Sequence, residues 1–349
     1  MRLFALVICV LLSVTPLHAD ELANLYQAEV PVSDQSRQAL DAAARQGLAQ
    51  LLVRLTGREE APQTAGLQTE LSNATRYLEQ YRYDQNRQED AETPLVAVLK
   101  FAEQPVNALV QGAGLPLWGA NRPVVMMWIA KDEIDGRVLV SEFTHPELVA
   151  ALRAEARQRG LLLRFPLLDL DDLTRISADE VWALDGLALE DASQRYGTVA
   201  NVGARIIELS DGRWLGSWRL AAGDQRTTLD VEDADRDAFL ARGLAAVARG
   251  LADQYALQPG AASDSAQLRI ALTGISNFER YTAALRYFAE LPEVGSVQLL
   301  RVTDDRILLG LESQGGVEHL QRMLALDRTL AAATPVAGEA DLTYHWRGR

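Results

Sequence analysis

Leu268-Arg269-Ile270-Ala271-Leu272-Thr273 sets the fold class of the C-terminal third, because its apolar residues fall on every second position and strand side chains alternate between two faces. Downstream, Ser276 and Glu279 have capping-box spacing, and Tyr281, Leu285 and Phe288 share one face of a helix that Pro292 stops. Val297 to Val302 and Ile307 to Leu311 read as strands joined around Asp304-Asp305. A second helix covers 317–326, and Leu342, Tyr344 and Trp346 alternate in a last strand. The order βαββαβ over 267–349 is the split-βαβ arrangement of a ferredoxin-like domain, with two helices on one sheet face. The other face is left free to dock a partner or a second copy.

Working toward the N-terminus, 258–266 holds Pro, Gly, Ala and Ser with little to pack and reads as a linker. Before it, 119–257 alternates strands with helices: strands at 124–130, 138–141 and 161–165, and a helix after Thr144 and Glu147 that Gly160 ends. A capping box at Ser177 and Glu180 follows. The strands 199–209 and 214–220 meet at the hairpin signal Asp211-Gly212, and a helix covers 235–255. Residues 20–118 open with a strand at 25–32. A helix then runs from Ser33 to Gly57, with Leu40, Ala44, Leu48, Leu51, Leu52 and Leu55 on one face; next come a helix over 67–82 and a strand over 95–101, and Gly112 to Pro116 breaks the chain before Trp118. The expected fold is therefore multidomain, α/β and α+β: mixed-sheet α/β modules followed by a C-terminal ferredoxin-like βαββαβ domain.

Residues 1–19 carry a single cation, Arg2, then an apolar run from Leu3 to Val14, Pro16, and Leu17-His18-Ala19 before Asp20-Glu21. That is a signal-peptide layout, with cleavage expected after Ala19 and the periplasm as the address. The run falls short of the roughly 20 apolar residues of a good bilayer span, although an uncleaved anchor is the competing reading. The sole cysteine, Cys9, leaves with the leader, so the mature chain has no thiol for disulfides or metal. Losing Arg2 takes the net charge from −14 to −15. Such a surface repels nucleic acid and anionic lipid, so neither is expected as a partner. The lysines are Lys100 and Lys131, which leaves the later chain without a lysine for phosphate or Schiff-base chemistry.

Several short motifs are similar to those of a known family: Val30-Pro-Val-Ser-Asp-Gln-Ser36, Leu52-Val-Arg-Leu-Thr-Gly57, Arg122-Pro-Val-Val-Met-Met-Trp128, Arg159-Gly-Leu, Asp169-Leu-Asp-Asp172, Val181-Trp182 and Arg195-Tyr-Gly197. Through most of 20–257 the chain resembles an uncharacterised secreted family of Proteobacteria, domain of unknown function 2066. The resemblance implies an envelope protein and carries over no catalytic residues.

Asp169, Asp171 and Asp172 follow a hydrophobic strand, where α/β proteins place ligands and where a hard cation would find oxygen donors; the competing reading is a helix-capping loop. Trp214 and Trp218 lie on one strand face around Gly216, spaced to stack on a sugar ring or a partner side chain, or to serve as core. His145, His319 and His345 are scattered. No nucleophile elbow, phosphate loop or dinucleotide fingerprint is present. No catalytic residue and no cofactor is therefore expected. The first expectation is a periplasmic, non-enzymatic interaction or scaffold protein of cell-envelope assembly or homeostasis, with an envelope protein as partner and room for a homo-oligomer. The second is a binding module for a small envelope ligand such as a glycan, held between Trp214/Trp218 and the Asp169 loop. A metal- or carboxylate-dependent hydrolase using Asp169 and Asp171 is third.

Overall fold

The computed structural model describes residues 25–86, 93–260, 266–291, 293–326, 329–334 and 339–348. The leader 1–19 with Cys9 and His18, most of the linker, and the helix stop at Pro292 lie outside the described residues. The fold is mixed α/β with three sheets.

The first sheet is built from β1 (Gln27–Val32), β2 (Leu78–Gln85) and β3 (Leu95–Phe101), with α1 (Arg37–Thr56), α2 (Leu67–Ser72) and α3 (Glu103–Gly112) around it. Its order is β1-β3-β2, antiparallel throughout. The apolar stripe of α1 is buried as its spacing requires. The helix starts later than Ser33, because the Ser36 hydroxyl accepts the free Ala39 N–H. The helix expected over 67–82 stops at Ser72, and 78–85 is a strand instead. Tyr81 and Tyr83 alternate in register with Leu99 and Ala97 of β3, and that tertiary pairing overrides the weak local helix signal. The unexpected α3 buries Val106 and Val110.

The middle sheet comprises β4 (Val124–Glu133), β5 (Gly136–Leu139), β6 (Leu162–Arg164), β7 (Ala200–Glu208), β8 (Trp214–Ala222) and β9 (Gln225–Asp233). The order is β5-β4-β7-β8-β9, with β6 also paired to β4. The β4 pairings with β6 and β7 are parallel and the others antiparallel. One face packs under α4 (Pro146–Arg159) and α8 (Arg236–Tyr255), burying Met127, Ile129, Val202, Ala204 and Trp218. The other buries Met126, Trp128 and Ala130 under α5 (Leu170–Arg175), α6 (Ala178–Trp182) and α7 (Gly186–Gln194). The Ser177/Glu180 capping box forms. The expected Thr144/Glu147 box does not: Pro146 begins α4, His145 takes the cap position, and the Thr144 hydroxyl bonds within its own loop to Leu139 and Ser141.

The last sheet contains β10 (Ala266–Thr273), β11 (Val294–Thr303), β12 (Arg306–Ser313), β13 (Leu330–Ala332) and β14 (Leu342–Trp346), packed on α9 (Phe278–Ala289) and α10 (Gly316–Leu324). The expected element order is present with one addition. The chain leaves α10 to make β13 at the outer edge before turning back into β14. Consequently β14 runs parallel to β10, where a ferredoxin-like closure without that extra strand would leave it antiparallel. Asn277, not Ser276, caps α9.

Arg122 joins the first two units. It is buried, and all five of its N–H groups donate to carbonyls: those of Gly119 and Trp118, of Arg54 in the last turn of α1, and of Arg159 and Gly160 at the end of α4. Its Cζ lies over the Trp118 ring, 4.0 Å from the centroid. Burial and then Arg54 pull its pKa down to about 9, still above neutrality, so the negative ends of two helices face a cation. The C-terminal unit attaches through α10, whose Met323 enters the middle core and whose Met323 carbonyl accepts from Asn121 Nδ2 at 3.1 Å.

Candidate docking surface

Asp169 is the N-cap of α5 and accepts from Asp172 N. Both of its oxygens also accept from Arg195, at 2.6 and 2.8 Å, in the forked geometry that suits a guanidinium. That pairing holds the Asp169 carboxyl well below the usual carboxylate range and raises the Arg195 pKa. Asp172 is 0% exposed. Its carboxylate receives Arg195 Nη1 at 2.8 Å, Leu168 N at 2.9 Å and the Tyr196 hydroxyl at 2.6 Å. Burial first, and then the bond to Asp172, push the Tyr196 pKa up to about 12, so it stays a donor. Leu168, at a φ of 53°, is a leucine in left-handed backbone, held there by the bond to Asp172. Asp171 lies outside, 3.6 Å from Arg195 and 3.7 Å from Arg175.

These carboxylates are thus directed at Arg195, and the capping reading of the loop describes them. No group of three or more His, Cys, Asp or Glu able to hold a metal occurs among the described residues. Trp214 and Trp218 are buried and pack on Phe239 of α8, with ring centroids 6.0 and 5.8 Å away. They point from the α8 side of the sheet, whereas the Asp169 loop belongs to the layer on the opposite side. A ligand held between the tryptophans and that loop is therefore excluded by the sheet itself. The histidines do not converge: His145 pairs with Glu133, His345 meets Thr273, and His319 is buried in α10.

What the loop does present is apolar. In α5 the one buried residue is Asp172, while Leu170 is 79% and Leu173 57% exposed; Leu167, just before, is 55% exposed. Leu187 on the adjacent α7 is also exposed. The polar side of this short helix faces inward and its leucines face water, the reverse of an ordinary surface helix. No local pattern sets these leucines apart from core leucines: Leu170 and Leu173 lie one turn apart in α5, and Leu167 precedes its N-cap Asp169. Arg195 and Tyr196 meet Asp172 across more than 20 positions, a pairing that no local pattern records.

Residues 19–119 match a family described as a domain of unknown function, DUF8605. This corrects the expected likeness to domain of unknown function 2066, both in the family and in the extent matched. The motifs behind that likeness have plain structural duties, such as the Ser36 cap, the left-handed Gly57 and the Arg122 clamp, and any chain with the same local needs can share them. No curated protein matches the chain.

Proposed function

We propose that the protein is a non-enzymatic interaction or scaffold protein of the cell envelope, exported to the periplasm through residues 1–19, which docks a protein partner through the leucines around α5. The observation that carries this reading is the inside-out helix. Exposed leucines on a segment pinned by the Asp169–Arg195–Asp172 network form a preorganised apolar surface, and clustered apolar exposure marks docking sites. The acidic rim of Asp169, Asp171 and Asp191 suits a partner whose apolar contact is edged by basic residues. The C-terminal unit is read as a ferredoxin-like variant, and its uncovered sheet face offers a second surface. Among the described residues no helix is long and apolar enough to cross a membrane.

A photocrosslinking side chain at Leu170, activated in living cells, is expected to capture one reproducible envelope protein. The double change Leu170→Glu and Leu173→Glu, at exposed positions, is expected to leave the fold intact and weaken that association about a hundredfold. Absence of any adduct from a well-expressed chain, or a partner indifferent to both glutamates, sinks the docking reading. N-terminal sequencing of the mature protein is expected to begin at Asp20, and intact Met1 in the cytosol would overturn export.

A further inference from the structure

We propose that two copies of this chain pair edge to edge and antiparallel through β2, with Tyr83 on the two-fold axis. β2 is an edge strand, and its outer backbone groups meet no strand among the described residues. Its residues are exposed apart from Leu78 and Tyr83, whose side chains pack partly on the core, and beyond an irregularity at its start it pairs regularly with β3 from Gln80 to Gln85. Such an edge templates another strand unless charge, proline or a bulge blocks it.

The hydrogen-bond phase says which residues face outward. Asn86 N donates to Pro94 O, on the β3 side, while Phe101 N donates to Tyr26 O, on the β1 side. Strand backbone groups alternate in direction, so Gln80, Arg82 and Asp84 bond to β3, and Tyr81, Tyr83 and Gln85 present N–H and C=O to the open edge. An isologous pair must therefore match odd residues with odd ones.

Among the registers centred on Arg82, Tyr83 or Asp84, charge then selects one. Centring the axis on Arg82 sets arginine against arginine, and centring it on Asp84 sets aspartate against aspartate, which destabilises a sheet. Centring it on Tyr83 sets Arg82 opposite Asp84 twice, pairs Tyr81 with Gln85 twice, and joins Tyr83 to its own copy. Within one chain Arg82 and Asp84 are 61% and 50% exposed and meet only at 3.3 Å along the strand, leaving both free to turn to a partner. Opposite charges two positions apart around an outward-facing residue make this edge complementary to itself, as a two-fold interface requires. The product is one six-stranded sheet spanning both copies.

Sedimentation equilibrium of the purified protein at about 0.15 M salt, where the large negative charge is screened, is expected to give the mass of two chains. Asp84→Arg should weaken the dimer about tenfold or more, and the exchange Arg82→Asp with Asp84→Arg should restore it, because the swapped pair keeps the same complementarity. Circular dichroism checks that each variant is folded. In a Cys9→Ser background, Tyr83→Cys should oxidise to a covalent dimer, since hydrogen-bonded partners stand about 5.5 Å apart at Cα, and Arg82→Cys should not. A monomer at about 50 μM, a dimer indifferent to Asp84→Arg, an exchange that fails to rescue, or a Tyr83→Cys that oxidises only to a different chain overturns the proposal.

Discussion

Asp171 and Asp172 are neighbours in the chain and opposites in the structure. Asp171 sits in solvent at the ends of long ion pairs, whereas Asp172 is sealed in with three donors. Removing the cation from a buried carboxylate is far more costly than trimming a surface charge. Arg195→Ala is therefore expected to cost about 2–4 kcal/mol of stability, against less than about 0.5 kcal/mol for Asp171→Ala, read from urea unfolding at pH 7. Acid has the same origin. The Asp169 carboxyl titrates lower in the fold than in the unfolded chain, so its stabilisation is full above the ordinary carboxylate range and is lost as pH falls through and below it. In Arg195→Ala that acid-sensitive component should shrink.

At the scale of elements, the join between α1 and α8 rests on a glycine. Gly57 ends α1 with a φ of 65°, and its N–H returns to Val53 O. A Cβ there would stand 2.5 Å from the Ala252 Cβ and 2.8 Å from the Ala248 carbonyl oxygen of α8. Gly57→Ala would combine left-handed strain with overpacking and is expected to destabilise by about 2–4 kcal/mol, with a matching drop in melting temperature. A melting temperature within a degree or so of wild type would show that α8 yields easily. Helix-ending glycines of this kind were legible in the sequence, and so was the α1 stripe. β2 was not, because a strand with tyrosines at two alternate positions shows its period only against a partner 15 or so residues away.

Across the whole molecule, the C-terminal unit meets the middle one where α10 faces the end of α8. His319 is buried at this seam beside Gly315, whose Cβ would lie 3.0 Å from Leu257 and 3.1 Å from His319. Burial, and then the charge of Arg322, lower its pKa to about 4. The imidazole is thus neutral in the fold and takes up a proton more readily when unfolded. Stability from this group is complete above about pH 6.5 and declines as pH falls toward 4, by about 2–3 kcal/mol at pH 4.5. His319→Leu should remove that part of the difference in unfolding free energy between pH 7 and pH 4.5. An unchanged difference would mean that the seam opens to water without unfolding.

Local rules read from the chain alone settle much of this protein: the alternation of Leu268, Ile270 and Leu272, the stripe of α1, the Asp211-Gly212 hairpin and the Ser177/Glu180 cap each depend on residues a few positions apart. The tertiary structure alone decided where charge and apolar surface finally lie. Arg195 reaches Asp172 across 23 positions, Arg122 gathers carbonyls from two helices, and the sheet between them sends Trp218 and the Asp169 loop to opposite sides. Such contacts join segments distant in the chain, and composition and period carry no record of which distant group satisfies a buried charge.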